Sequence, residues 1–245
     1  MNEFLSRNIL FWGEDSQKKL LASHIAVFGL GGVGGFCAEA LARSGVGEIT
    51  IVDFDRVSES NINRQLIALN STVGEYKTDL FKQRLLDINP ELKLNVIKDF
   101  YIEDFKFDGI DYVADAIDTM RSKVNLMRVC YEKNIPLISS MGAGNRMDPT
   151  KLYLSDISEI HDKKAPFVSN ILYQLKKIGI TSGINVVTSD EKPFSQQKIS
   201  EVENIVTNSG EEIQFNKIIP ASTPFVASCA GIFMASKIVM DLIKV

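Results

Sequence analysis

Residues 25–34 read Ile25-Ala26-Val27-Phe28-Gly29-Leu30-Gly31-Gly32-Val33-Gly34, and this run decides the fold class. Its apolar, partly β-branched first four residues predict a short buried strand. The glycines predict a tight turn. Val33–Ser44, with Ala38, Leu41 and Ala42 at helical core spacing, predicts a helix. A Gly-x-Gly-x-x-Gly loop in that position lets backbone amides approach a phosphate or a ribose closely, and the helix N-terminus adds partial positive charge. The complete strand–loop–helix context favours a nucleotide site over a bare glycine-rich turn.

Working outward, short β-rich runs alternate with helical patterns. Ile49–Val52, Leu94–Ile97, Tyr112–Ala116 and Pro136–Ser139 read as strands, and Lys77–Asp87 and Arg121–Lys133 as helices. That alternation predicts an α/β fold, a doubly wound, mostly parallel sheet of Rossmann type with a smaller C-terminal extension. The later chain is less regular. Leu152–Leu154 and Ile184–Val187 read as strands and Phe167–Lys177 as a helix. Ser189–Gly210 is dense in polar residues and is expected to be a mobile loop or a partly disordered crossover. A helix from Phe225 closes the chain. We read one domain over 1–245, with a nucleotide-binding half (1–150) and a substrate, crossover and C-terminal helix region (151–245).

The bulk numbers fit a soluble protein. Of 245 residues, 45% are apolar and 24% charged, and the net charge of −4 gives no overall basic footprint for nucleic acid. Met1 to Gly13 carries Glu3 and no long apolar run, so no secretory leader is expected. Pro224–Ile243 is apolar but interrupted by Lys237 and Asp241, which predicts a packed helix and no membrane association. Cys37, Cys130 and Cys229 stand far apart with no CxxC pair, so a cytoplasmic protein is expected.

Asp53 ends the second strand 24 residues after Gly29, where a ribose-binding acid belongs. This leaves the choice between NAD and ATP open, and three further features weigh on it. They are Ser60-Asn61-Ile62-Asn63-Arg64-Gln65, Gly74-Glu75-Tyr76-Lys77, and Asp115-Ala116-Ile117-Asp118. All follow strand ends on the carboxyl side of the sheet, where ligands bind in doubly wound folds. A triphosphate that leaves as pyrophosphate needs fixed cations, and Arg64 and Lys77 suit that task. Asp118 suits Mg²⁺. Singly, Lys77 could be a solvated helix-start lysine, Arg64 a surface ion-pair partner, and Asp118 a helix N-cap. A dehydrogenase accounts for the glycines and Asp53 but gives Arg64, Lys77 and Asp118 no joint task.

The ordered set GxGGVG, Asp53-x-Asp55, Asn61-x-x-Arg64-Gln65, Gly74-x-x-Lys77 and Asp115-x-x-Asp118 resembles the ubiquitin-activating-enzyme-like superfamily of adenylating enzymes. The resemblance implies that Gly29, Gly31, Gly32, Gly34, Asp55, Asn61 and Gln65 join the nucleotide site. It implies that Asp53 holds the ribose, that Arg64 and Lys77 meet the ATP phosphates, and that Asp118 organises Mg²⁺. Ser6-Arg7-Asn8-Ile9-Leu10 resembles the element that sends an arginine, here Arg7, into the partner subunit's site, which implies a homodimer.

Many sulfur-carrier adenylyltransferases of that superfamily hold zinc through two CxxC pairs. This chain has none, so no structural zinc is expected. There is no cysteine between Tyr131 and Ser228 to serve as a thioester nucleophile. Gly142-Ala143-Gly144-Asn145-Arg146-Met147-Asp148-Pro149-Thr150, Ile135-Pro136-Leu137-Ile138 and the closing Phe225-Val226 resemble the tRNA threonylcarbamoyladenosine dehydratase branch. That branch implies ATP-dependent ring closure of the modified adenosine beside the tRNA anticodon, and it leaves room for a cysteine desulfurase or sulfur-acceptor partner. The alternative within the superfamily is adenylation of a ubiquitin-like sulfur carrier's C-terminus. Lys163, Lys164, Lys176 and Lys177, with Arg146, are the residues expected to touch tRNA, a solvated helix face being the alternative.

Overall fold

The computed structural model describes residues 3–99, 105–194, 200–206, 212–218 and 220–244. Two short helices, α1 (Ser6–Trp12) and α2 (Glu14–Leu21), open the chain and are parted by Gly13 at a φ of +84°. Then come β1 (His24–Phe28), α3 (Gly34–Arg43), β2 (Glu48–Val52), α4 (Lys77–Ile88), β3 (Lys93–Ile97), β4 (Tyr112–Asp115), α5 (Met120–Glu132) and β5 (Leu137–Ser140). The second half supplies β6 (Leu152–Asp156), α6 (Pro166–Lys177), β7 (Asn185–Ser189), β8 (Ser200–Val206), β9 (Glu212–Ile218) and α7 (Pro224–Ile243).

Seven strands form one sheet in the order β3-β2-β1-β4-β5-β7-β6. All neighbours are parallel except β6, which runs antiparallel to β7 at the edge. The period-2 alternation of β1 explains the layering. Ile25 and Val27 face a core shared with Leu41 of α3, Phe81 of α4 and Met234 of α7. Ala26 and Phe28 face the opposite core, with Leu126 of α5 and Ile171 of α6. Both sheet faces are therefore covered, which is why these strands read as nearly continuous apolar runs.

Among the described residues, α7 is the one helix long and apolar enough to cross a membrane, and half of that apolar stretch is buried inside the protein. It packs directly on α3. A Cβ on Gly231 would come 2.2 Å from the carbonyl oxygen of Val33, so glycine there permits the close approach of the two helices.

The polar stretch after residue 189 departs from the sequence expectation. β8 and β9 pair antiparallel from Ser200↔Ile218 to Val206↔Glu212, so part of the expected loop is a two-stranded ribbon. Interleaving Val202, Ile205, Ile213 and Phe215 with acids and amides is a composition that solvated ribbons and loops share. Residues 195–199 and 207–211, which belong to that expectation in part, lie outside the described residues.

Candidate functional site

The chain leaves β1 outward to β2 and β3, then returns to β4 and continues the other way. The order therefore reverses between β1 and β4, and a cleft of about 520 Å³ opens there at the carboxyl ends of the strands. Gly29, Gly31, Gly32, Asp53, Asp55, Asn61, Arg64, Gln65, Lys77 and Asp118 all line it. Two sequence-expected residues do not. Gly34 sits beneath the loop at the start of α3, and Arg7 is exposed on α1. A Cβ on Gly34 would come 1.8 Å from the Gly29 carbonyl oxygen, so this glycine serves close helix–turn packing. Gly34→Ala is expected to cost about 1–3 kcal/mol through overpacking. A urea melt checks this, and an unchanged midpoint would contradict it.

The cleft floor is built by backbone capture. Asp53 is 7% exposed; its Oδ2 accepts from the Leu30 amide at 2.6 Å and its Oδ1 from the Asp55 amide at 2.8 Å. The acid at the end of β2 thereby fixes the glycine loop above β1. Burial pushes its carboxyl upward, and Lys77 pulls in the opposite direction.

Lys77 is 4% exposed and donates to Asp55 Oδ2 at 2.7 Å, so it is not a solvated helix-start lysine. Its backbone amide bonds the Asp55 carbonyl at 3.0 Å. The guanidinium of Arg56 lies 3.6 Å from the Tyr76 ring centroid and Lys98 Nζ 4.8 Å from it, which packs the start of α4 against the segment after β2.

Arg64 is half-buried, and its Nη1 donates to the Ser60 carbonyl at 2.8 Å and to Asn63 Oδ1 at 2.9 Å. Burial lowers its pKa, and the nearby Asp118 carboxylate opposes that. Gly32 leaves it room, because a Cβ there would be 3.3 Å from Arg64 Cγ. Asn61 closes the turn before it by accepting from the Ser58 amide at 3.2 Å. Gln65 is 8% exposed, and its Oε1 has no hydrogen-bond partner among the described residues, an acceptor suited to a ligand N–H.

Asp118 is exposed at the cleft, one residue before Thr119, the N-cap of α5. The N-cap position is held by Thr119, not Asp118.

The far wall was not legible in the sequence. Ala143 and Gly144 reach the cleft along with Pro220, Ser222 and Ala227. Asn145 and Ala221 exchange two bonds, amide to carbonyl at 2.7 Å and amide to Oδ1 at 2.8 Å, and Asn63 Nδ2 donates to the Ser222 carbonyl at 2.8 Å. These partners lie 76 and 159 residues apart, which no local pattern signals. Arg146 differs from expectation. It is only 5% exposed and donates to the Gly142 and Glu191 carbonyls, so it braces this wall instead of presenting a cation to tRNA.

The cysteines stand away from this chemistry. Burial pushes the Cys37 thiol far up and Cys130 to about 12, so neither is a thiolate at neutral pH. Iodoacetamide at neutral pH is expected to leave both unlabelled in the folded protein. Peptide mass spectrometry checks this, and rapid labelling would contradict it.

The ThiF family model matches residues 5–236. The chain belongs to the ThiF family. The tRNA threonylcarbamoyladenosine dehydratase of Bacillus subtilis is 47% identical over 243 residues, covering 98% of this chain and 94% of that one. Two solved structures of the Escherichia coli enzyme TcdA superpose on this ThiF-family chain with a TM-score of 0.83. The complex with AMP is 30% identical, over 97% of this chain and 93% of that one. The complex with ATP is 29% identical, over 99% and 94%. The Escherichia coli MccB structure with ATP, at 22% identity and a TM-score of 0.63, shows the shared fold alone.

Proposed function

We propose that this ThiF-family enzyme uses ATP to adenylate the carboxylate of threonylcarbamoyladenosine in tRNA, beside the anticodon, and then closes it to the cyclic, dehydrated form. The observation that carries this reading is the 47% identity, over nearly the full length of both chains, to the Bacillus subtilis dehydratase. The cleft lining supports it, since the glycine loop, Arg64, Lys77 and the carboxylate of Asp118 all border one cleft. A substrate carboxylate oxygen attacks the α-phosphorus of ATP and pyrophosphate departs. Arg64 and Lys77 neutralise the charge that develops on the leaving group. The neighbouring carbamoyl group then attacks the activated carbonyl and loses a proton, and AMP departs with the former carboxylate oxygen. The nucleoside has lost one water. That second attack is intramolecular and closes a five-membered ring, so proximity stands in for a covalent enzyme intermediate.

Magnesium is part of this reading. Mg²⁺ usually takes one or two protein carboxylates and completes its shell with phosphates and water. One exposed carboxylate, Asp118, at the cleft fits that pattern, and among the described residues no group of three or more His, Cys, Asp or Glu forms an all-protein cage. Bound there with the nucleotide, the ion would screen phosphate charge. The reading also includes a cytoplasmic homodimer in which the exposed Arg7 serves the partner subunit's cleft, a single domain over 1–245, and room for a cysteine desulfurase or sulfur-acceptor partner.

For tRNA, Lys176 and Lys177 stand exposed in the last turn of α6, with Lys177 over the Tyr173 ring, while Lys163 and Lys164 precede its first turn. The start of α6 abuts the cleft wall, since a Cβ on Gly142 would meet Phe167 at 3.0 Å. Replacing these four lysines with alanine is expected to flatten the salt dependence of tRNA binding by roughly 0.7–0.9 for each phosphate that is no longer neutralised. An unchanged slope removes α6 from the interface.

Exchange of labelled pyrophosphate into ATP tests the function. It is expected to require tRNA bearing threonylcarbamoyladenosine. Exchange driven by a carrier protein ending in Gly-Gly, and not by tRNA, would point to the sulfur-carrier reading. The similarity to the Bacillus subtilis dehydratase favours neither that reading nor the dehydrogenase.

A further inference from the structure

Beneath the part of the cleft that carries Asp118 lies a charged group that takes no part in either chemical step. Asp115, Lys123 and Ser139 are each 0% exposed. Lys123 Nζ donates to Asp115 Oδ2 at 2.7 Å and to Ser139 Oγ at 2.9 Å. The Ser139 hydroxyl donates to the same carboxylate oxygen at 2.7 Å. The other oxygen, Asp115 Oδ1, accepts from the Ile117 amide at 3.0 Å.

An ion pair this dry is a weak device for stability alone. Desolvating both charges offsets most of their attraction, and apolar residues of similar volume often serve as well. What the group does is geometric. Asp115 ends β4, Ser139 lies on β5 and Lys123 sits in the first turn of α5. Between them runs Ala116–Thr119, which lines the cleft. The stretch is held at one end by Asp115 through the Ile117 amide, and at the other by the Lys123 amide, which bonds the Thr119 carbonyl at 3.0 Å. The Ala116 amide bonds the Phe28 carbonyl at 2.8 Å, and a Cβ on Gly29 would come 2.8 Å from the Ala116 carbonyl oxygen. The turn bearing Asp118 is thus registered directly against the glycine loop.

We propose that Asp115, Lys123 and Ser139 are positioning residues for the Ala116–Thr119 turn, holding Asp118 where it can share a divalent cation with the nucleotide phosphates. This rests on the metal role proposed for Asp118. The group acts through the backbone and touches no reacting atom. Loss of one member lets the turn relax without removing the carboxylate. ATP binding without metal is then preserved, and the metal-dependent part is weakened.

The test titrates ATP calorimetrically into wild type, Ser139→Ala, Lys123→Met and Asp118→Ala, over a series of Mg²⁺ concentrations and in EDTA, with a thermal melt of each. Ser139→Ala and Lys123→Met are expected to raise, several-fold, the Mg²⁺ concentration that tightens ATP binding. They should also lower kcat for pyrophosphate release and leave ATP binding in EDTA unchanged. A lower melting temperature with an unmoved Mg²⁺ dependence would mark the group as structural and overturn the proposal. Ser139→Ala keeps the Lys123–Asp115 pair intact, so it carries the test if Lys123→Met fails to fold. An unmoved Mg²⁺ dependence in Asp118→Ala would remove the metal reading itself, and the proposal with it. A shift in Asp118→Ala but not in the other two removes the positioning role alone.

Discussion

Asp118→Ala is expected to reduce pyrophosphate release by roughly two to three orders of magnitude or more, on the order of losing a preorganised charged group at a phosphoryl-transfer site. The folded state should hardly notice. Asp118 is exposed and precedes the N-cap of α5, so its removal opens no cavity in the core and unseats no helix cap. Surface changes of this kind alter stability by about 0.5 kcal/mol or less. The measurement pairs a coupled pyrophosphate assay with a urea melt. A stable variant with near-normal turnover would strip Asp118 of its assigned role.

The second large effect is expected at Lys77. Its ammonium is buried at the cleft and bonded to Asp55, so Lys77→Ala removes that ion pair, exposes Asp55 to Asp53 and takes away the charge-assisted bond to phosphate proposed for it. A charged hydrogen bond of this kind is worth about 1.5–3 kcal/mol, or roughly 10- to 150-fold in ATP affinity. Calorimetry reads this, and unchanged affinity would contradict it. Stability should become more pH-sensitive as well. Burial already raises the Asp53 carboxyl, and Lys77 is the main influence holding it down. A carboxyl raised by folding favours the folded state fully only below its unfolded pKa of about 3.9, and that contribution is lost as pH rises through the folded value. Lys77→Ala raises the folded value further, so it should lose more stability than wild type between acid and neutral pH. Parallel pH profiles in urea melts of the two proteins would contradict this coupling.

The nucleotide half was legible because its signals are local. Strand, glycine loop and helix follow one another within twenty residues, and the alternation of Ile25 and Val27 against Ala26 and Phe28 announces a sheet buried on both faces. Arg64, Lys77 and Asp118 could be grouped from sequence because each follows a strand end on the same edge of the sheet. What stayed hidden depends on distant partners. Arg146 looks like any surface arginine until the Glu191 carbonyl, 45 residues away, is brought to its guanidinium. The far wall needs Asn145 to meet Ala221 and Asn63 to meet Ser222. Gly34 shares a motif with the cleft glycines, yet its position under the turn makes it a packing residue. The ribbon of β8 and β9 was obscured because its apolar positions are diluted by charge.

The most direct measurement is mass spectrometry of nucleosides digested from tRNA after incubation with this protein, ATP and Mg²⁺. Threonylcarbamoyladenosine is expected to disappear and a species lighter by one water to take its place, only when ATP is present. Unchanged threonylcarbamoyladenosine alongside ATP that the protein demonstrably binds would contradict the adenylation and ring closure proposed for this cleft.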